Sequence, residues 1–516
     1  MKSRNQKRPN ILLVMADQIA APALPVYGHQ VVKTPHLASL ASSGVVFDAA
    51  YCNFPVCAPS RFSMLTGLYA TRIGAYDNAA EFSASWVTMP HYLRALGYHT
   101  SLCGKMHFIG PDQLHGYHER LTTDIIGSDF SLTANWSETV PSSPAGATLK
   151  TVLDAGHCIR SLQIDYDDEV EHCAIQKIYD LARAQEQLPF FLTVSFTHPH
   201  APFTSPLEHW QRYRDEDIDM PAVGPLAEAH QDMQTRWLGQ ARRSDQYVIT
   251  DDQVINARHA YYGMISYIDD KVGRIMEAMR RTELDRETVV IFLGDHGEMM
   301  GERGMWFKSS FYEWSCRIPM IVSAPERYAP RRCAQVVSLV DLLPTVLDLA
   351  GMAKGQEYVD ELDGKSLVPL LEGKVPKDWD DVALSEYTAD GVLAPCRMAR
   401  QGLYKYIYVH GHGSQLYHIG EDPHELRNLS GQLSVEKVEQ HLHDLVLKDW
   451  DPEQVTADIM RSQRRRLFIQ KVTAGAGMPV NWSFRARFDD DSRYVRSAKA
   501  SDIKARKRFP YVTPKG

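Results

Sequence analysis

Residues 10–18 read NILLVMADQ: an unbroken apolar run, Ile11 to Met15, then Asp17 and Gln18. Five apolar residues ended by a carboxylate are too few for a membrane span or a signal-peptide core, and they read as a strand buried on both faces. The pattern recurs. Phe190–Phe196 (FFLTVSF) runs into His198-Pro199-His200, and Thr288–Leu293 (TVVIFL) runs into Asp295-His296. Ile318–Val322 is a further buried strand, and Val45–Phe47 is strand-like. Between the strands lie helical patterns. Thr34-Pro35 supplies an N-cap and a first helical residue, Leu37, Leu40 and Ala41 an apolar face, and Gly44 a stop. Thr88 to Leu96 repeats this grammar before Gly97. Val254 to Met279 is a long amphipathic helix with Tyr261, Ile265, Ile268, Val272, Ile275 and Met279 on one stripe. Near-continuous apolar strands alternating with helices predict a doubly wound α/β sheet.

Such sheets bind ligands beyond the carboxyl ends of their strands. Asp17, His198/His200 and Asp295-His296 all follow strands. Singly, a polar strand end is more often a turn residue or a helix cap. Three together predict a metal site, with Asp17 and Asp295 as hard oxygen donors suited to Ca2+ or Mg2+.

The chain has 516 residues and a net charge of −8, which gives no electrostatic case for nucleic acid or an acidic membrane. No stretch approaches a transmembrane length, and the expected location is the cytoplasm. Eight cysteines are scattered without a C-x-x-C pair, as expected of reduced thiols. The expected organisation is an α/β domain over 1–375, a smaller α+β subdomain over 376–455 and an extension over 456–516. The middle unit carries an antiparallel hairpin, Tyr404–Val409 with Gln415–Ile419. The extension reads as basic and irregular, with Arg464-Arg465-Arg466.

Cys57-Ala-Pro-Ser-Arg61 is followed by Leu65-Thr66-Gly67. By helix grammar alone this is a half-buried cysteine before a Pro-initiated helix. The segment also resembles the sulfatase signature, in which the cysteine is oxidised to formylglycine. Other sulfatase-like segments follow in order: Met15–Gln18, Gly104–His107 (GKMH), His198–His200, Gly294–Gly297 (GDHG), Phe307-Lys308, Ser338–Gly351 and Asp422–Leu429. The resemblance is greatest to the choline sulfatase branch, through Tyr76–Phe82 (YDNAAEF), Gly104–Ile125, Tyr166–Val170 (YDDEV) and Gly301–Lys308.

The resemblance implies an alkaline phosphatase/sulfatase-like fold: a large mixed sheet between helices, with a small C-terminal antiparallel sheet. It implies a nucleophile at Cys57 as hydrated formylglycine, which attacks sulfur and later collapses to release sulfate. Metal ligands would be Asp17, Asp295, His296, the residue-57 oxygen and, as an extra, Gln18, where many sulfatases have a second Asp. One divalent metal is implied, Ca2+ ahead of Mg2+ or Mn2+. Arg61, Lys105 and Lys308 would hold sulfate oxygens, His107 would orient or deprotonate the diol, and His200 would protonate the leaving oxygen. Choline sulfatases hold trimethylammonium with aromatic and acidic side chains. Trp136, Glu386 and Asn78 are the substrate-binding candidates here, although Trp136 and Glu386 read equally well as a packing residue and a surface acid. Ser131–Leu162 departs most from that branch. A sugar sulfate, or a phosphodiester or phosphonate monoester on the same scaffold, is the alternative substrate. A scaffold with unmodified Cys57 that binds an anion is the non-catalytic reading. The implied partners are a small sulfate ester, a formylglycine-generating enzyme and further copies of the chain. The homodimer or homotetramer would form through Arg493–Pro510.

Overall fold

The computed structural model describes residues 8–144, 147–184, 186, 188–352, 357–477, 480–485 and 510. Among the described residues, fourteen strands form three sheets. In chain order they are β1 (Asn10–Ala16), β2 (Val45–Tyr51), β3 (His99–Gly104), β4 (Glu119–Arg120), β5 (Gly156–Cys158), β6 (Phe190–Phe196), β7 (Thr204–Pro206), β8 (Thr288–Gly294), β9 (Met320–Ser323), β10 (Arg331–Ser338), β11 (Val382–Tyr387), β12 (Cys396–Gln401), β13 (Tyr404–Val409) and β14 (Gly413–His418). The large sheet runs β10-β2-β9-β8-β1-β6-β3-β4. Only β9 pairs antiparallel, with β2 and β8, so the sheet is mixed as the resemblance implies.

β1 lies between β8 and β6, with Ala16 level with both Gly294 and Phe196. That register sets Asp17, Thr197 and Asp295 side by side at one edge. Ile11, Leu13 and Met15 enter one core while Leu12, Val14 and Ala16 enter the other, as the two-residue period of a strand requires. Each fully buried aliphatic side chain contributes about 1.5–3 kcal/mol, so slipping β1 by one residue is strongly disfavoured.

The helix Asp251–Arg281 covers one face, with Tyr261, Ile265, Ile268, Val272, Ile275 and Met279 buried as the stripe predicts. The helix Pro35–Ser42 forms, but its cap is borrowed. Thr34 Oγ1 has no partner, whereas Asp269 accepts the amides of His36 and Leu37 at 3.0 and 2.7 Å. Met89–Ala95 keeps its own cap: Thr88 and His91 form a capping box.

The small sheet β11-β12-β13-β14 is antiparallel and contains the expected hairpin. Its strands enter the same core as β1 and β8, through Ala383, Met398 and Ile407. Buried Lys405 crosses the junction to Glu313 (2.6 Å) and Glu425 (2.8 Å).

The segment after 456 corrects the irregular reading. Pro452–Gly475 is one helix. Its buried residues are Ile459, Gln463 and Arg466, two of them polar, so no apolar stripe announces it. The helix Leu162–Arg183 was likewise not anticipated. Apart from Pro510, the expected arm over 493–510 lies outside the described residues. No helix among the described residues is long and apolar enough to cross a membrane.

Candidate active site

Cys57 is the first residue of the helix Cys57–Thr66, which ends at Gly67 in the left-handed region (φ 69°). The helix delivers its positive end to the strand edge. One turn later, on the same face, Arg61 projects beneath the carboxylates. Its Nε donates to Asp295 Oδ2 (2.8 Å) and its Nη2 to Asp17 Oδ2 (3.0 Å). Nη1 donates to Lys105 O (2.6 Å) and Ser195 Oγ (2.8 Å). Arg61 is expected at sulfate oxygens. The structure instead places it behind the two acids, fully buried with every guanidinium nitrogen engaged. A buried cation is tolerated only when so paired.

Cys57 Sγ stands at the centre of these charged groups. It lies 3.2 Å from His296 Nε2 and 3.7 Å from each of Asp17 Oδ1, Lys105 Nζ and Lys308 Nζ. Lys105 follows Gly104, whose φ of 102° and contact with Ser195 O leave no room for a side chain. Lys105 Nζ also pairs with Asp17 Oδ2 at 2.6 Å. Lys308 Nζ meets His200 Nε2 at 2.6 Å and bonds to Gln18 Oε1, while Gln18 Nε2 donates to Glu298. His200 Nδ1 bonds to Ala201 O at 2.6 Å. Neither ring nitrogen of His107 has a hydrogen-bond partner, although the residue is buried. Gln18, His107, Phe307 and Ser309 all hold positive φ (64°, 62°, 65° and 80°). Such backbone strain gathers at sites whose geometry the surroundings fix.

Burial and the neighbouring Cys57 push the Asp17 carboxyl up, but Lys105, His200 and Arg61 outweigh them and hold it well below the carboxylate range. Burial likewise raises the Cys57 thiol, and Lys105, Lys308 and His296 reverse that and leave it well below an ordinary thiol. Burial and then Lys308 lower the His200 imidazole. The site therefore favours anions at position 57.

Asp17, Cys57, Asp295 and His296 bring one ligating atom each within 4.8 Å of one another, all buried. His296 Nδ1 bonds to Gly297 O at 3.1 Å, which leaves Nε2 free to ligate. Two carboxylates and an imidazole fit a divalent cation. Gln18, the expected extra ligand, lies beside this group with both ends of its amide already bonded.

Above Cys57 opens a cavity of about 370 Å³. Cys57, Lys105, His107, His200 and Lys308 form its floor. Its wall is largely aliphatic, with Ile126, Leu132, Ala147, Leu238 and Ala241, plus Asn78, Arg242, Phe307 and Asp390. Asn78 also accepts the Ala58 amide at 3.0 Å. Trp136 and Glu386 are not in this lining. Trp136 is packed in the core with Nε1 on Ala389 O (3.3 Å), and Glu386 is buried against Thr71 Oγ1 (2.8 Å) and its amide (2.9 Å). Both are consumed by packing, which corrects their expected positions. Sequence reasoning missed Asp390 and Arg242. Arg242 donates to the Trp306 and Lys308 carbonyls (2.6 and 2.5 Å) and lies over the Phe307 ring at 5.5 Å.

The family model described as Sulfatase matches residues 9–352, and the one described as N-sulphoglucosamine sulphohydrolase, C-terminal, matches 301–450. The choline-sulfatase of Rhizobium meliloti (strain 1021) is 36% identical over 514 residues, 98% of this chain and 99% of its own. The arylsulfatase of Clostridium perfringens (strain 13 / Type A) is 27% identical, over 86% of this chain and 94% of its own. Among solved structures, the phosphonate monoester hydrolase of Agrobacterium radiobacter superposes with a TM-score of 0.68 at 24% identity, over 86% of this chain and 95% of its own, a likeness of fold. With its strand-end acids, its Cys57 helix and this match over nearly its full length, the chain belongs to the sulfatase family of sulfuric ester hydrolases.

Proposed function

We propose that the protein hydrolyses a small organic sulfate ester, choline sulfate first among candidates, through formylglycine formed from Cys57. The observation that carries this is the charge-dense floor around Cys57, at the base of a cavity of about 370 Å³. Asp390 supplies the acid in the wall that a trimethylammonium group needs, a role the reading of Glu386 assigned elsewhere. The 36% identity to a choline-sulfatase supports the same substrate.

Asp17, Asp295, His296 and residue 57 would hold one divalent cation, Ca2+ ahead of Mg2+ or Mn2+, given two hard carboxylates. When bound, the cation supplies Lewis acidity at position 57. Lys105 and Lys308 hold the sulfate oxygens from two sides and neutralise charge as the S–O bond breaks. His107, with both ring nitrogens free, takes the proton from the attacking group at residue 57. Lys308 directs an N–H at His200 Nε2, so the pair holds the proton that the leaving oxygen requires. Hydrated formylglycine can expel sulfate and return to the aldehyde, whereas a serine would stop at the ester.

The proposed maturation needs a formylglycine-generating enzyme, and the absence of disulfides among the eight cysteines supports residence in the cytoplasm. Exposed Phe468, Ile469 and Val472 on the last helix suit contact with further copies in a homodimer or homotetramer. The test is the intact mass of the Cys57 peptide, followed by turnover of choline sulfate, para-nitrophenyl sulfate, a sugar sulfate and a phosphonate monoester. Loss of about 18 Da with preferential choline sulfate turnover is expected. Faster turnover of the phosphonate ester would replace this reading.

A further inference from the structure

The helix Pro452–Gly475 holds residues that adjoin the site wall and have no part in the chemistry. Arg466 is buried and grips Asp77 with two parallel bonds, Nη1 to Oδ1 (2.7 Å) and Nη2 to Oδ2 (2.8 Å). Its Nη1 also reaches Thr133 Oγ1 at 3.2 Å. One turn earlier, Gln463 accepts the Trp136 amide at 2.8 Å, and the Trp136 indole N–H bonds to Ala389 O. Asp77, Thr133 and Ala389 directly adjoin Asn78, Leu132 and Asp390, three residues of the cavity wall. These segments are far apart in sequence, and one helix face ties all three.

We propose that Arg466, with Gln463, is a positioning residue that sets the leaving-group wall and so governs substrate affinity from the C-terminal helix. The fork-shaped guanidinium suits this role because it fixes a carboxylate in orientation as well as in distance. Most of the floor is held separately, by Arg61 and the strand ends; only the Lys308 backbone is tied to the wall, by Arg242. The inference rests on the sulfatase reading for its assay, but not on choline sulfate as the substrate.

The experiment is steady-state kinetics of Arg466→Ala, Arg466→Lys and Gln463→Ala in the full-length, formylglycine-converted enzyme, with inorganic sulfate as a product inhibitor that touches only the floor. Arg466→Ala is expected to raise KM for para-nitrophenyl sulfate and choline sulfate about tenfold, which corresponds to about 1.4 kcal/mol of lost wall contact. The inhibition constant for sulfate should stay within about twofold. Arg466→Lys should recover part of the KM, because an ammonium keeps the charge and loses the fork. A fall in kcat with KM and sulfate inhibition unchanged would show a merely structural role and overturn the proposal. If Arg466→Ala does not fold, the neutral Gln463→Ala decides: a KM raised about threefold supports the brace, in line with one hydrogen bond lost, and an unchanged KM overturns it. Wild-type turnover of para-nitrophenyl sulfate but not choline sulfate would sink the choline assignment and leave the brace to be judged on the aryl ester.

Discussion

The floor and the wall of the cavity are built by different means. Among the floor residues Cys57 opens a helix, Lys105 is one step beyond a strand, and His107, His200 and Lys308 lie in the loops that follow strands. The charges there interlock: Arg61 with Asp17 and Asp295, Lys105 with Asp17, Lys308 with His200. The wall comes from loops at 126–144 and 390–391, from one short helix end at 238–242, and from a distant brace. The floor is thus anchored largely at the sheet edge, whereas most of the wall can be reshaped without touching the sheet. This difference separates the bond that is broken from the group that leaves.

The predictions probe that division, from the largest effect down. Cys57→Ala should lower turnover by at least ~10⁴-fold, because the nucleophile is removed, while thermal unfolding shifts by only a few degrees. Appreciable residual turnover would contradict covalent catalysis at this position. Dialysis against a chelator should abolish turnover of every ester tested. Activity should return with Ca2+ better than with Mg2+, and recovery with neither would contradict a divalent floor. Lys308→Ala should cost about 10²–10³-fold in kcat, as loss of one oxyanion donor does, for aryl and alkyl esters alike. A loss confined to one ester would move Lys308 to the wall. Asp390→Asn should raise KM for choline sulfate about tenfold, the scale of one ion pair in a desolvated pocket, and leave sulfate inhibition unchanged.

The Asp390 carboxyl also predicts a pH dependence. Burial raises its pKa, with Arg242 opposing in part. As pH falls through that raised value the carboxylate is neutralised, and a cationic leaving group loses its partner. KM for choline sulfate should therefore rise on acidification from above the usual carboxylate range, and KM for para-nitrophenyl sulfate should stay level. Parallel profiles for the two esters would remove Asp390 from cation binding.

The floor was legible in the sequence because strands buried on both faces print as apolar runs, and their ends follow by counting. Asp17, His200 and Asp295 were placed that way, although no periodicity reveals that β8, β1 and β6 are neighbours. The Cys57 motif supplied what helix grammar did not distinguish from an ordinary helix start. The wall was poorly legible. Asp390 is a single acid in a loop, and nothing local separates it from Glu386, which faces Thr71. Trp136 read equally as a cage wall and as a packing residue, and it serves as packing. The last helix buries Gln463 and Arg466 instead of an apolar stripe, so a basic run was read as irregular. Arg61 carried its expected charge but faces the acids, since two buried carboxylates without a counter-ion are far costlier than one unclamped sulfate oxygen.

Cys57 is 1% exposed, at the root of a helix whose ten residues are all buried. On the proposed conversion, that burial imposes a chronology. An oxidising enzyme must grasp the cysteine while the segment is still extended, because the docked helix offers no handle. Synthesis, oxidation, folding and metal uptake then have to occur in that sequence, and a chain that folds early is committed to inactivity for its lifetime. The yield of active molecules would be decided by a race during translation, so slowing folding near the Cys57 helix should increase the converted fraction.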